Sequence, residues 1–351
     1  MFRVRPLALF LIVAVPLRAQ RAPELSDVGR ARFTSIASVR ELSDGAVLLS
    51  DPRSRAVWAV SRSGDRQPVE LAGLQAPGRL TPFGADSTLV LDRGASAFRL
   101  LVGLLEAPLP PALSLPSSQQ MIAPRVDRWA ADAAKGVWTL DRGRDGRARV
   151  LRRRDASGAM DSVAALADAP TVQSGSGGIR ITRSVPYSAV DDWALDPQGD
   201  LIVVRAQPLR VDRRTATGTW THGDTLPAWP LPLTAADRAY SNAQVAKEGA
   251  SMNIGGGSVA LPELPDGAWP ASLPPFAVGT IAVAPDGAVW IGREHGARTD
   301  RREFLIVTRD GRLRERILLP AHSRIVGFGA TDAYVALPWG DEERLQRFPW
   351  R

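Results

Sequence analysis

Residues Ile281–Pro320, IAVAPDGAVWIGREHGARTDRREFLIVTRDGRLRERILLP, constrain this chain more than any other stretch. They read as four short strands: Ile281–Ala284, Ala288–Gly292, Phe304–Thr308 and Leu313–Leu319. Asp286-Gly287 and Arg309-Asp310-Gly311 form the tight turns. Asp-Gly between two apolar runs is a strong hairpin signal, because glycine takes a positive φ without steric cost. A four-stranded antiparallel meander of this length cannot bury both its faces alone. It needs similar units on either side, which is the logic of a propeller blade.

The rest of the chain supplies those units. FTSIASVRELSDGAVLLSDPRSRAVWAVSRSGDRQPVEL is the first, turning at Asp44-Gly45 and Ser63-Gly64-Asp65. LTPFGADSTLVLDRGASAFRLLVG is the second, with Thr88–Leu91 expected as its inner strand. RWAADAAKGVWTLDRGRDGRARVLRRRDASGAM and DWALDPQGDLIVVRAQPLRVDRRTATGTW are the third and fourth. The opening stretch is the fifth, and IVGFGATDAYVALPWGDEERLQRFPW the sixth. The expected fold is all-β: a six-bladed β-propeller of four-stranded antiparallel blades. The sixth copy shows three strands, so Leu25–Arg32 is expected to add the fourth and close the ring by pairing the N- and C-terminal strands. Such closure leaves no long open edge.

Superposing the second strands aligns their ends at Asp51, Asp92, Asp141, Arg205 and Arg293. The intervals are 41, 49, 64 and 88 residues. The long ones hold insertions. Asp168–Val190 contains the Ser-Gly run from Ser174 to Gly178 and a strand at Ile179–Val185. Trp220–Pro275 is proline-rich, with one helix at Thr234–Lys247, for which Thr234 is the N-cap candidate. Residues 20–351 are thus expected as one propeller domain with an insertion at about 220–275.

The segment Met1–Ala19 has the form of a secretory signal peptide. Arg3 and Arg5 form its basic region and Leu7–Val15 its apolar region. The protein is therefore expected to be exported, to the periplasm or beyond, with no transmembrane segment after cleavage. The chain has no cysteine. That excludes disulfides, a lipid-anchored cysteine and any thiolate site, and leaves the fold to packing alone. The net charge of +7 falls to +4 once Arg3, Arg5 and Arg18 are cleaved away. The remaining arginines are scattered among acidic residues, so no nucleic-acid partner is expected.

LLSDPRSRAVWAV and LVLDRGASAFRLL distantly resemble NHL repeats, in which a strand ends in Asp, turns and resumes. SVPYSAVDDWALDPQGDLIVVRAQPLRVD, the PLTAADR helix, PPFAVGTIAVAPDGAVWIGRE and LLPAHSRIVGFGATDAYV together resemble the uncharacterised exported six-bladed propellers of bacterial genomes. That resemblance covers nearly the whole mature chain and implies the fold, with no activity attached.

Other six-bladed propellers suggest what chemistry to look for. Gluconolactonase and paraoxonase relatives hold a divalent ion in the channel with Glu, Asn and Asp, as a hard cation requires. Here Asn242 and Asn253 are the only asparagines, both in the insertion. Amidating lyases use zinc on three histidines. Here the three are His222, His295 and His322. His222 is expected in an outer strand, away from His295 and His322, which stand as the metal alternative. The strand ends offer a different candidate: a channel mouth acidic at Asp51, Asp92 and Asp141 and basic at Arg205 and Arg293, suited to a polar ligand or a protein partner. Turn stabilisation is the competing role for the aspartates, since Asp at a strand end accepts from nearby amides. Trp58, Trp138, Trp193 and Trp290 lie inside alternating strands and are expected to pack between blades. No P-loop and no G-x-S-x-G elbow is present. The expectation is a binding protein or interaction scaffold with no cofactor. The alternative is a lactonase-like, metal-dependent hydrolase or lyase working in the channel with a divalent metal.

Overall fold

The structure, a computed structural model, describes residues 20–351 apart from 115–128, 133, 135, 143–147, 175–180, 248–250, 255–256, 261–263 and 299. The signal segment and the glycine-rich run after Ser174 lie outside the described residues.

Six four-stranded antiparallel blades form a ring, a six-bladed β-propeller. Blade 1 runs from Ser38 to Val69, blade 2 from Pro77 to Ala107 and blade 3 from Trp129 to Ala167. Blade 4 runs from Asp192 to His222, and blade 5 from Ile281 to Pro320. Blade 6 takes three strands from Arg324–Phe328, Asp332–Trp339 and Glu342–Pro349, and its outermost from Ser26–Phe33. That closing strand pairs antiparallel with Glu342–Pro349, placing Ser26 opposite Arg347 and Phe33 opposite Glu343. The closure matches the expectation to within a residue. A further pairing was not foreseen: Gln20–Arg21 adds a parallel fifth strand to the outside of blade 5.

The Asp-Gly turns explain why the meanders form. Gly45, Gly287 and Gly311 all sit at φ between 81° and 83°, a region a side chain resists. In each turn a carboxylate or hydroxyl fastens the loop, as when Asp286 accepts from the Ala288 amide at 2.9 Å.

The core lies in the seams between blades. Ile202, Val204 and Val211 of blade 4 pack against Val289, Ile291 and Leu305 of blade 5. Trp290 and Phe304 of blade 5 meet Val335 and Phe348 of blade 6. Val28, Phe33 and Leu345 meet Val39 and Leu49 across the closing seam. Trp138 and Trp193 lie 6.5 Å apart between blades 3 and 4. Trp138, Trp193 and Trp290 are buried as expected. Trp58 is only partly buried, with the Arg66 guanidinium 4.9 Å above its ring.

Within the insertion, the helix Ala235–Lys247 starts with a reciprocal cap. The Asp237 amide donates to Thr234 Oγ1, and Asp237 Oδ2 accepts from the Thr234 amide at 2.8 Å. The other oxygen of Asp237 accepts from the Ala297 amide at 2.8 Å, fixing the helix to the loop of blade 5. Two small antiparallel strand pairs, Thr171–Ser174 with Ile181–Ser184 and Ser251–Ile254 with Gly257–Ala260, lie in the insertions. Among the described residues no helix is long and apolar enough to cross a membrane.

Candidate functional site: the central channel

The first strand of each blade stands at one end of its sheet, paired on one side only. These six strands wall a central cavity of about 590 Å³. The inner position in blade 2 thus belongs to Pro77–Pro82; the expected strand, Thr88–Leu91, falls within Ser87–Asp92, the second strand. An unpaired strand edge presents amides and carbonyls, so the wall is polar even where its side chains are small.

The aligned strand ends lie where the second strand of each blade turns toward the third. Asp51 accepts from the Thr34 amide at 2.9 Å and from Arg53 and Ser54 amides at 3.1 Å. Asp92 accepts from Gln75 and Ala76 amides on the incoming chain and from Gly94 and Ala95 in its own turn. Each carboxylate, 1% and 0% exposed, clips the connection from the preceding blade onto a turn of its own blade. Asp141 faces Arg152 at 3.7 Å.

The two arginines are held by carboxylates. Arg205 donates to Asp191 at 2.8 Å, to Asp212 at 3.0 Å and to the Ala165 carbonyl of blade 3 at 2.7 Å. Burial works against its charge, but the bonds from Asp191 and Asp212 outweigh it and hold its pKa above the ordinary arginine value. Arg293 donates to Glu303 and to the Trp229 carbonyl, with its guanidinium 5.7 Å from the Trp229 ring. Turn chemistry and ion pairing therefore engage all five of these side chains within the ring.

The histidines stand apart in their bonding. His295, in the loop after Val289–Gly292, accepts the Glu303 amide at Nε2. Burial, with help from Arg302 and Arg293, lowers its pKa to about 4. His222, on the outer strand of blade 4, meets Asp212 at 3.0 Å. His322 occupies a left-handed position, φ 60°, in the turn between blades 5 and 6. Among the described residues no three His, Asp or Glu side chains are grouped to hold a metal.

The channel's own carboxylates were not singled out by the sequence. Asp132 accepts from the Gly136 amide, Trp138 Nε1 and Arg153. Asp192 accepts from the Gly279 amide at 2.7 Å and from its neighbour Trp193. Asp196 accepts from the Gln198 and Asp200 amides and from Arg213. Their oxygens face protein donors, a poor fit to a hard cation, which needs several free oxygens converging on one point.

No protein-family model matches the chain, and no curated protein matches it in sequence. Solved structures do match in fold. A protein assigned as a gluconolactonase superposes with a TM-score of 0.50 at 13% identity, over 95% of this chain and 94% of that one. Regucalcin from Agrobacterium tumefaciens, described as a calcium-binding protein, superposes with a TM-score of 0.50 at 11% identity, over 95% of each chain. The class defined is the six-bladed β-propeller, and at these identities the likeness is one of fold.

Proposed function

We propose that this protein is an exported binding protein that takes a polar small ligand into its central channel. One observation carries the reading: six unpaired strand edges wall a cavity of about 590 Å³, a volume suited to a small molecule. The carboxylates of blades 3 and 4 are committed to internal donors, so the wall offers recognition more readily than a metal cage. Asp51, Asp92, Asp141, Arg205 and Arg293 then act by holding the loops that shape the mouth. A thermal-shift screen of polar metabolites tests this, run on the wild type and on Thr81→Trp, which fills the channel from blade 2. The reading requires at least one ligand that stabilises the wild type and not the variant. A screen in which no ligand distinguishes the two proteins overturns it.

A second reading, a metal-dependent hydrolase or lyase of lactonase type, draws support from the gluconolactonase and the calcium-binding regucalcin that share this fold. The described residues do not supply its ligand set, so no catalytic step is derived. Elemental analysis beside a lactone and ester panel decides it. Stoichiometric retained metal, with activity lost on chelation, would put this reading first.

A further inference from the structure

The channel-lining carboxylates differ in one respect. The three aspartates have both oxygens engaged by protein donors, whereas Glu41, at the end of the inner strand Ser38–Glu41, has one oxygen in use. Tyr334 of blade 6 donates its hydroxyl to Glu41 Oε2 at 2.7 Å. Among the described residues no donor reaches Oε1, and no guanidinium lies within ion-pair distance of the carboxylate. Arg40, the preceding residue, spends its donors elsewhere. Its two terminal nitrogens reach the Ser87, Gly84 and Ala85 carbonyls and the Thr88 hydroxyl in blade 2.

The position of Glu41 is built rather than incidental. Tyr334 is 1% exposed, so its hydroxyl is a fixed donor. Burial first, and then the bond to Glu41, push the Tyr334 pKa upward, which keeps the hydroxyl protonated. Gly329 leaves the space the carboxylate occupies, since any side chain there would collide with Oε2. Glu41 also lines a second cavity, of about 270 Å³, between blades 1 and 6, so it stands half-buried at the junction of two spaces.

We propose that Glu41, oriented by Tyr334, is the ligand-contacting carboxylate of the channel and that it receives a primary ammonium group. The chemistry of the pair selects that class. Tyr334 already commits its O–H to Glu41, so the pair presents acceptors only. Arginines line both cavities, but none described is ion-paired to Glu41, and a carboxylate with a free oxygen there is best matched by a cation that brings several donors, which an ammonium does. The inference rests on the channel-binding reading and assigns that channel its ligand class.

The test is calorimetric titration of the full chain with 1,4-diaminobutane at low ionic strength, with glycerol as the neutral control. The wild type should bind diaminobutane saturably and glycerol not at all, and the binding should weaken as salt is added. Glu41→Gln should weaken it about tenfold or more, the loss expected when a charged hydrogen bond becomes a neutral one. Tyr334→Phe, which keeps the ring and the charge, should weaken it less. Melting curves without ligand show that each variant is folded; if Glu41→Gln is not, Tyr334→Phe decides alone. Diaminobutane binding unchanged in the folded variants, or absent from the wild type, overturns the assignment of Glu41. Should another polar ligand then bind the wild type and fail to bind Thr81→Trp, the channel reading survives that loss.

Discussion

Arg205 donates to Asp191 at 2.8 Å, and the same guanidinium reaches the Ala165 carbonyl on the outer strand of blade 3. One side chain of blade 4 therefore ties together the outer strand of the preceding blade and the connection that leaves it. Asp212, fully buried, takes the Arg205 Nε at 3.0 Å from the other side. Replacing Arg205 with Met should destabilise the protein by about 1–3 kcal/mol, because Asp191 and Asp212 each lose a charged donor, while Asp212 keeps Arg210 at 2.9 Å. The melting temperature should fall by several degrees. An unchanged melting temperature would show that the pair contributes nothing.

Asp92 provides a second test of the same architecture. Its carboxylate accepts from four amides, at Gln75, Ala76, Gly94 and Ala95. Asp92→Ala leaves those donors without their acceptor and should cost about 2–3 kcal/mol. Hydrogen exchange should quicken at those four amides before it does in the strands of blade 2. Uniform protection in the variant would argue against the clip.

His295 should make stability depend on pH in a defined window. Its folded pKa, about 4, lies below the ordinary value of 6.5. The unfolded chain therefore takes up the proton first as the pH falls. The stability contributed by neutral His295 is complete above pH 6.5 and is lost progressively as pH drops toward 4. In His295→Gln, which can still accept from the Glu303 amide, the melting temperature should fall less over that interval. Parallel curves for the two proteins would refute this.

Ring closure is tested by removing the residues through Arg32. The strand Glu342–Pro349 then loses its outer partner and presents an open edge. Size-exclusion chromatography with light scattering should show oligomers or aggregates. A monomer with an unchanged melting temperature would mean that the closing strand is dispensable.

The sequence carried the fold in its punctuation. Asp44-Gly45, Asp286-Gly287 and Asp310-Gly311 mark turns that only a few backbone shapes can make, so the blades could be counted before any packing was known. The closing strand was legible for a related reason: a ring short of one strand has one place to find it. Inner and second strands were harder to tell apart in blade 2. Pro77–Pro82 contains two prolines and a glycine, while Ser87–Asp92 carries the apolar run, because the inner strand faces a polar channel. The partners of Arg205 and Arg293 were hidden as well. Glu303 lies in the next strand of the same blade, but Asp191 and the Trp229 carbonyl come from insertions with no repeat to align. Glu41 gave no signal at all. Its significance depends on Tyr334, 293 positions away, and on the space left by Gly329.

The closing strand has a consequence for how the protein is made. Ser26 lies beside Arg347, 321 positions along the chain. During synthesis the outer strand of blade 6 emerges ahead of every blade, and its partner among the last residues. Through nearly all of translation, Ser26–Phe33 is a strand without a sheet. Contacts this distant in sequence form slowly, because the loop they close must be ordered first. Until they form, each of the two strands is an open edge that another copy of the chain can pair with. Assembly of the ring is thus a race between its own two ends and its neighbours, and the yield of folded protein should fall as the concentration of newly made chains rises.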